Sequence, residues 1–325
     1  EVIKSQSGKA FYTNITELDR VLGAGITPGG VYLIAGQPGI GKSTLLTQLA
    51  ISIATKDSGS PRSARDDAPT IIARSKTTKQ SIQMNNVLYI CSEENVGQVA
   101  ARIQRLITTS DASANNAQQI TSSDHIKLLN TSSLETILTQ ISKMKNEKQA
   151  MSNLLIVDSI QSIATDNNPT TAGSPSQIRD CASLLIQTAK ETNIPIIIVG
   201  HVTKEGTIAG PKLLEHMVDT VIELTGDRQH ELRLLRGIKN RFGPTDETGI
   251  FRMTGNGREE VPDPSKFLLE GRLKATPGSV LALVMEGTRP MTAEVQALVV
   301  DSAIPVPRRV AKGINTNRLQ LICAI

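Results

Sequence analysis

One short run, Gly36-Gln-Pro-Gly-Ile-Gly-Lys-Ser43, constrains this chain more than any other feature. It follows the apolar segment Val31-Tyr-Leu-Ile-Ala35 and leads into Ser43 to Thr55, where Leu45, Leu46, Leu49, Ala50 and Ile53 recur on one helical face. Strand, glycine-rich turn and helix in that order make a GxxxxGK[ST] phosphate loop in its required context. Gly36, Gly39 and Gly41 permit positive φ and close backbone approach, so successive N–H groups can wrap phosphates at a helix N-terminus. Lys42 is expected to reach the β and γ phosphates of ATP as a point charge. The Ser43 hydroxyl is expected to ligate Mg²⁺, and Thr44 to add a hydroxyl or an N–H.

Further apolar runs follow at Val87-Leu-Tyr-Ile-Cys91, Leu154-Leu-Ile-Val157 and Ile194-Pro-Ile-Ile-Ile-Val-Gly200, continuous as strands buried on both faces must be. Helical patterns separate them, roughly Val96 to Ile107, Leu134 to Glu147, and a segment capped by Ser174 with Pro175 in its first turn and Gln177 three residues on. Alternating strands and helices predict an α/β core with a mostly parallel sheet flanked by helices. Beyond Val218 to Leu224, the segments Glu231 to Lys239 and Gly249 to Met253 read as consecutive strands that extend the sheet antiparallel, and Ser279 to Met285 and Ala293 to Val299 suggest two more. The polar stretch from residue 55 to 86 reads as a long loop inserted in the core. The expected division is a core over residues 1–270 and a second, incomplete block over 271–325.

A phosphate loop needs an acidic partner for its metal. Leu154-Leu-Ile-Val-Asp158 supplies one at a strand's C-terminal end, where open α/β sheets bind ligands, so Asp158 is the expected Mg²⁺ partner. Cys91-Ser-Glu-Glu94 ends another strand at the same edge, and a carboxylate there suits orientation of the attacking water. Glu93 is favoured over Glu94, which reads more simply as a charge opening the next helix. His201 ends a fourth strand and could donate to the γ-phosphate, reporting its presence to the loop beyond. A bland reading of His201 as a structural strand-end histidine stands beside this one.

Composition narrows the rest. With 39% apolar and 20% charged residues the chain is globular rather than disordered, and no run of 18 apolar residues offers a membrane span. Glu1 opens no basic-then-apolar leader, and three scattered cysteines form no metal or redox motif, which fits a cytoplasmic location. A net charge of +4 tolerates a polyanionic partner. No Trp, three Tyr and four Phe argue against aromatic platforms for unpaired bases, so any nucleic acid would be held by its backbone.

Together these residues resemble the RecA-like ATPases. The likeness narrows at Lys239-Asn-Arg-Phe-Gly243, His201-Val-Thr-Lys-Glu-Gly206 and Leu214-Glu-His-Met-Val-Asp219, which are similar to the bacterial RadA (Sms) family of DNA repair and recombination ATPases. It covers roughly Phe11 to Arg272 and continues in Pro277-Gly-Ser279, Glu286 to Pro290 and Pro307 to Val310, similar to the opening of that family's Lon-protease-like domain. The resemblance implies an ATP-driven motor that forms hexameric rings on single-stranded or branched DNA, promotes branch migration and works beside a RecA-type recombinase. On this reading Lys42 and Ser43 lie in the phosphate loop, Glu93 is the catalytic glutamate, Asp158 the second acidic position and His201 the sensor, while Lys239 and Arg241 reach the ATP of a neighbouring subunit. A lysine and an arginine at i and i+2 in extended chain also project to one face. Two loops, Thr165 to Ser176 and Thr203 to Pro211, would face the ring's channel, with Lys204, Lys212 and Arg179 as candidate DNA contacts.

The sequence departs from that family in three places. Nothing before Phe11 supplies its four-cysteine zinc finger, the Lon-like stretch stops at Ile325, and the insertion at 55–86 is longer than the family needs. A competing expectation is a RecA-fold nucleotide switch that controls protein partners without DNA.

Overall fold

In a computed structural model of the protein, the structure describes residues 10–23, 25–55, 86–111, 125–146, 153–201, 211–226, 231–255, 257–269, 277–301, 303 and 308–324. The elements in chain order are α1 (Thr16–Leu22), β1 (Val31–Gly36), α2 (Lys42–Ala54), β2 (Asn86–Cys91), α3 (Val96–Asp111), β3 (Ile126–Leu129), α4 (Leu134–Asn146) and β4 (Asn153–Asp158). There follow α5 (Pro175–Thr192), β5 (Ile196–His201), α6 (Pro211–Glu215), β6 (Thr220–Thr225), β7 (Leu232–Asn240), β8 (Thr248–Thr254) and β9 (Gly257–Glu260). The last are α7 (Pro264–Leu269), β10 (Ser279–Glu286), β11 (Arg289–Gln296) and α8 (Thr316–Ile322). The expected insertion lies outside the described residues except at its two ends.

A nine-stranded sheet runs β3-β2-β4-β5-β1-β6-β7-β8-β9, parallel through β6 and antiparallel from β6 onward. The continuous apolar strands sit at its centre because both of their faces are covered. In β1, Tyr32 and Ile34 pack with Leu45, Leu46, Leu49 and Ile53 of α2 on one face. Val31 and Leu33 pack on the other with Ile137 of α4 and Ile178 and Leu185 of α5. Every one of these side chains is nearly or wholly removed from water, a gain of roughly 1.5–3 kcal/mol apiece for the larger ones.

Register brings the functional ends together. Gly36 pairs with His201 across β1 and β5, and Cys91 pairs with Asp158 across β2 and β4. All four strand ends therefore lie on one edge of the sheet, in the crevice outside the carboxyl ends where α/β folds bind ligands.

The chain divides into two packed units, Glu1–Pro264 with Met285–Pro290, and Ser265–Val284 with Met291–Ile325. The first holds the nine-stranded sheet. The second holds most of the β10–β11 hairpin and α8, whose N-cap Asn315 accepts from the Arg318 N–H. β11 begins at Arg289, earlier than the sequence suggested, because Gly287 with φ 62° allows a tight Gly-Thr turn straight after β10. No helix among the described residues is long and apolar enough to cross a membrane.

Candidate nucleotide site

The phosphate loop leaves β1 at Gly36 and enters α2 through Gly41. Gly39 (φ 74°) and Gly41 (φ 100°) occupy the left-handed region that glycine tolerates. A Cβ at Gly36 would lie 2.6 Å from the Leu224 carbonyl oxygen, and one at Gly41 would lie 2.6 Å from the Arg258 guanidinium. Gly41 caps α2 without a side chain, so the helix's first N–H groups point toward the crevice with no side-chain cap to satisfy them. Ser43 and Thr44 are half-buried in this first turn.

Lys42 is buried, and its ammonium donates to the Gly36 carbonyl (2.8 Å), the Gln37 carbonyl (3.1 Å) and Nδ1 of His201 (3.0 Å). Burial pushes its pKa down to about 8, against the pull of Asp158 and Glu93. An ammonium only donates, so Nδ1 of His201 must accept and the ring proton belongs on Nε2. That proton is directed at Glu93 Oε2, 2.9 Å away. Glu93 Oε1 accepts in turn from the Ser159 hydroxyl at 2.6 Å. The hydrogen bond from His201, aided by the one from Ser159, outweighs burial and holds the Glu93 carboxyl down at about 2. Lys42, His201, Glu93 and Ser159 thus form one continuous polar chain across three strand ends.

Asp158 lies beside it, buried, with Oδ2 accepting from the Tyr89 hydroxyl at 2.7 Å. Burial, and then the Asp158 carboxylate, raise the Tyr89 phenol well above its ordinary pKa, so Tyr89 is a fixed donor. Among the described residues no group of three His, Cys, Asp or Glu side chains could hold a metal. Mg²⁺ does not need one here: it favours a few hard oxygens completed by water and substrate phosphates, and Ser43 and Asp158 are oxygen donors of that kind. The glycine cradle, the uncapped helix start and the buried Lys42 likewise fit a polyphosphate.

The two glutamates of the Ser-Glu-Glu turn separate. Glu93 joins the polar chain, whereas Glu94 pairs with Arg102 at 2.6 Å. Lys239 and Arg241 both turn onto the segment before β6. Lys239 donates to the Glu215 and Val218 carbonyls, each at 2.7 Å, and Arg241 to Asp219 at 3.2 Å with 56% of its side chain exposed. Arg179 on α5 and Lys212 on α6 are exposed; Lys204 and most of the loop from Thr203 to Pro211 lie outside the described residues.

The loop from Thr165 to Ser176 is organised by a residue whose role the sequence did not disclose. Gln177 Nε2 donates to the Thr165, Asn168 and Thr170 carbonyls at 3.2, 2.9 and 3.0 Å, and its Oε1 accepts from the Thr165 N–H at 3.2 Å. Only half of the expected capping box forms. Ser174 accepts from the Gln177 N–H, but the Gln177 amide serves the loop instead of reaching back. Tyr89 and Arg258 were also missed: nothing in the sequence marks a tyrosine inside a buried strand as the partner of Asp158, or an arginine on a four-residue strand far along the chain as a neighbour of the phosphate loop.

A protein family described as "AAA domain" matches residues 4–207. DNA repair protein RadA of Halalkalibacterium halodurans is 42% identical over 313 residues, 96% of this chain, which in turn spans 58% of that relative's length. DNA repair protein RadA of Bacillus subtilis is 41% identical over 313 residues, again 96% of this chain and 58% of the relative. Among solved structures, the RadB recombinase aligns with a TM-score of 0.51 at 20% identity, over 77% of this chain and 98% of the other. A solved ATPase domain aligns with a TM-score of 0.56 at 14% identity, over 77% of this chain and 90% of the other. The expected RecA-like α/β core is the fold the chain has.

Proposed function

Since the chain belongs to the AAA domain family and is similar along nearly its whole length to RadA, we propose that it hydrolyses ATP with Mg²⁺ in DNA repair and couples turnover to movement on DNA. The single observation that carries this reading is the polar chain from Lys42 through His201 to Glu93, laid against the phosphate loop.

In the reaction, water attacks the γ-phosphorus, the bond to the β–γ bridging oxygen breaks, and ADP leaves. The loop N–H groups and Lys42 bind and orient the phosphates, Lys42 exchanging the Gly36 and Gln37 carbonyls for phosphate oxygens. Glu93, held by the Ser159 hydroxyl, orients the water and takes up its proton as the P–O bond forms. His201, released by Lys42 on Nδ1, turns toward the γ-phosphate and carries its presence or loss to the segment that follows. Bound Mg²⁺, held by Ser43 and Asp158, would neutralise charge gathering on the transferring phosphate. Lys239 and Arg241 supply cations to a neighbouring subunit's ATP in a hexameric ring, a role that the exposure of Arg241 supports. The loops at 165–176 and 203–211, with Lys204, Lys212 and Arg179, grip DNA phosphates in the channel, and branch migration beside a RecA-type recombinase is the resulting activity.

Steady-state ATPase activity with and without single-stranded DNA, at low and moderate salt, tests the reading with Glu93→Gln as control. Stimulation that fades with salt, and loss of turnover in the variant, is the expected result. Turnover indifferent to DNA favours a nucleotide switch acting on protein partners, and absent turnover removes the hydrolase reading.

A further inference from the structure

Behind the phosphate loop lies a cation that the preceding mechanism leaves unused. Arg258, on β9, is 5% exposed. Its backbone is clamped to α2 by one side chain: Gln48 Nε2 donates to the Arg258 carbonyl at 2.9 Å, and Gln48 Oε1 accepts from the Arg258 N–H at 3.3 Å. The guanidinium is thereby fixed relative to the helix that carries Lys42 and Ser43. Nη2 donates to the Ile40 carbonyl at 2.8 Å, inside the phosphate loop itself, and the group stands 5.9 Å over the Phe251 ring. Among the described residues Nε and Nη1 have no hydrogen-bond partner.

A guanidinium offers five N–H donors and is costly to bury without a counter-charge. Among the described residues no carboxylate pairs with Arg258. Burial, with the like charge of Arg233 adding to it, depresses the Arg258 pKa to about 9. Such an arrangement is unfavourable for the chain alone and is relieved by a nearby anion. The place to look for one is the loop whose Ile40 carbonyl Arg258 already holds and whose Gly41 leaves no room for a Cβ beside the guanidinium.

We propose that Arg258 is a positioning residue for the polyphosphate. It turns the Ile40 carbonyl away from the loop's interior so that the following N–H groups face the phosphates, and it supplies from behind the loop a positive charge that the nucleotide balances. This rests on the nucleotide reading above and assigns to that site a residue from the far end of the sheet.

The test compares unsubstituted protein, Arg258→Met and Arg258→Lys in two measurements: affinity for a fluorescent ATP analogue with Mg²⁺, and thermal unfolding without nucleotide. Arg258→Met is expected to bind roughly tenfold to a hundredfold more weakly, the size of one charge-assisted interaction. It should unfold, nucleotide-free, at the same or a higher temperature, because an uncompensated buried charge is gone. Arg258→Lys should recover most of the affinity. A lower nucleotide-free melting temperature in Arg258→Met, undiminished affinity in that variant, or an equal loss in the Met and Lys variants reduces Arg258 to a packing element and overturns the proposal. If the unsubstituted protein itself binds no nucleotide, the site reading fails first and this inference falls with it.

Discussion

Folding lowers the pKa of both Lys42 and Glu93, the first through burial and the second through hydrogen bonds led by that from His201, and each shift carries its own pH signature. The folded pKa of Lys42 is lowered from 10.5 to about 8, so the folded state prefers the neutral amine. Below about 8 this group opposes folding, and the opposition fades as pH rises toward 10.5. A polyphosphate needs the ammonium, so binding near pH 8 is expected to draw in protons. Calorimetry at pH 8 should show a binding enthalpy that depends on the buffer's ionisation heat, a dependence that vanishes at pH 6; none at pH 8 would refute the account of Lys42. Glu93 runs the other way. Its contribution to stability is complete above 4.5 and is lost as pH falls toward 2, and Glu93→Gln should flatten the melting temperature across that interval. Gly36, Gly39, Gly41, Lys42 and Ser43 were legible as a candidate site because a phosphate loop is contiguous. Arg258 was not, since only the folding of β9 against α2 makes it a neighbour.

At the scale of elements, β1, β2, β4 and β5 were readable because burial on both faces writes an unbroken apolar run, and α5 because serine and proline mark its start. β3 and β9, with four residues each, carry too little periodicity to stand out, and α1 buries Leu18, Val21 and Leu22 from a segment with no strong cap. The irregularity between β6 and β7 was equally silent in sequence. Val221 faces Lys239 while Ile222 faces Gly237, so Ile238 is left out of the pairing and 47% exposed. That bulge resets the alternation just before Lys239. α5 likewise governs the loop before it through Gln177. Gln177→Ala removes the side-chain donor shared by the Thr165, Asn168 and Thr170 carbonyls, of which Thr165 is buried and keeps only the Asn168 N–H, and should cost about 1–3 kcal/mol. Amide exchange at residues 165–171 should quicken well beyond that elsewhere in the sheet; an unchanged exchange pattern would mean that the loop is held by other contacts.

For the whole molecule the decisive question is whether hydrolysis needs a neighbour. If Arg241 acts on another subunit's ATP, Arg241→Ala should leave nucleotide affinity of the isolated chain nearly intact while turnover of the assembled protein falls by about 10³-fold or more. Equal loss of affinity in the isolated chain would contradict action across an interface. Asp219 gives that experiment a second meaning. It is buried, and its carboxylate accepts from the Val31 N–H at 3.0 Å, from Lys190 at 2.6 Å and from Arg241 at 3.2 Å. Burial raises its pKa, but those three donors outweigh it and the net shift is downward. Val31 starts the strand that Gly36 ends, so the same six-residue strut has Arg241, the proposed interface cation, moored through Asp219 at one end and the phosphate loop at the other. A neighbour that recruited Arg241 would therefore compete with Asp219, which already holds it. On the proposed role of Arg241, docking and undocking would become an exchange of partners, whose balance is set by how firmly Asp219 keeps its grip.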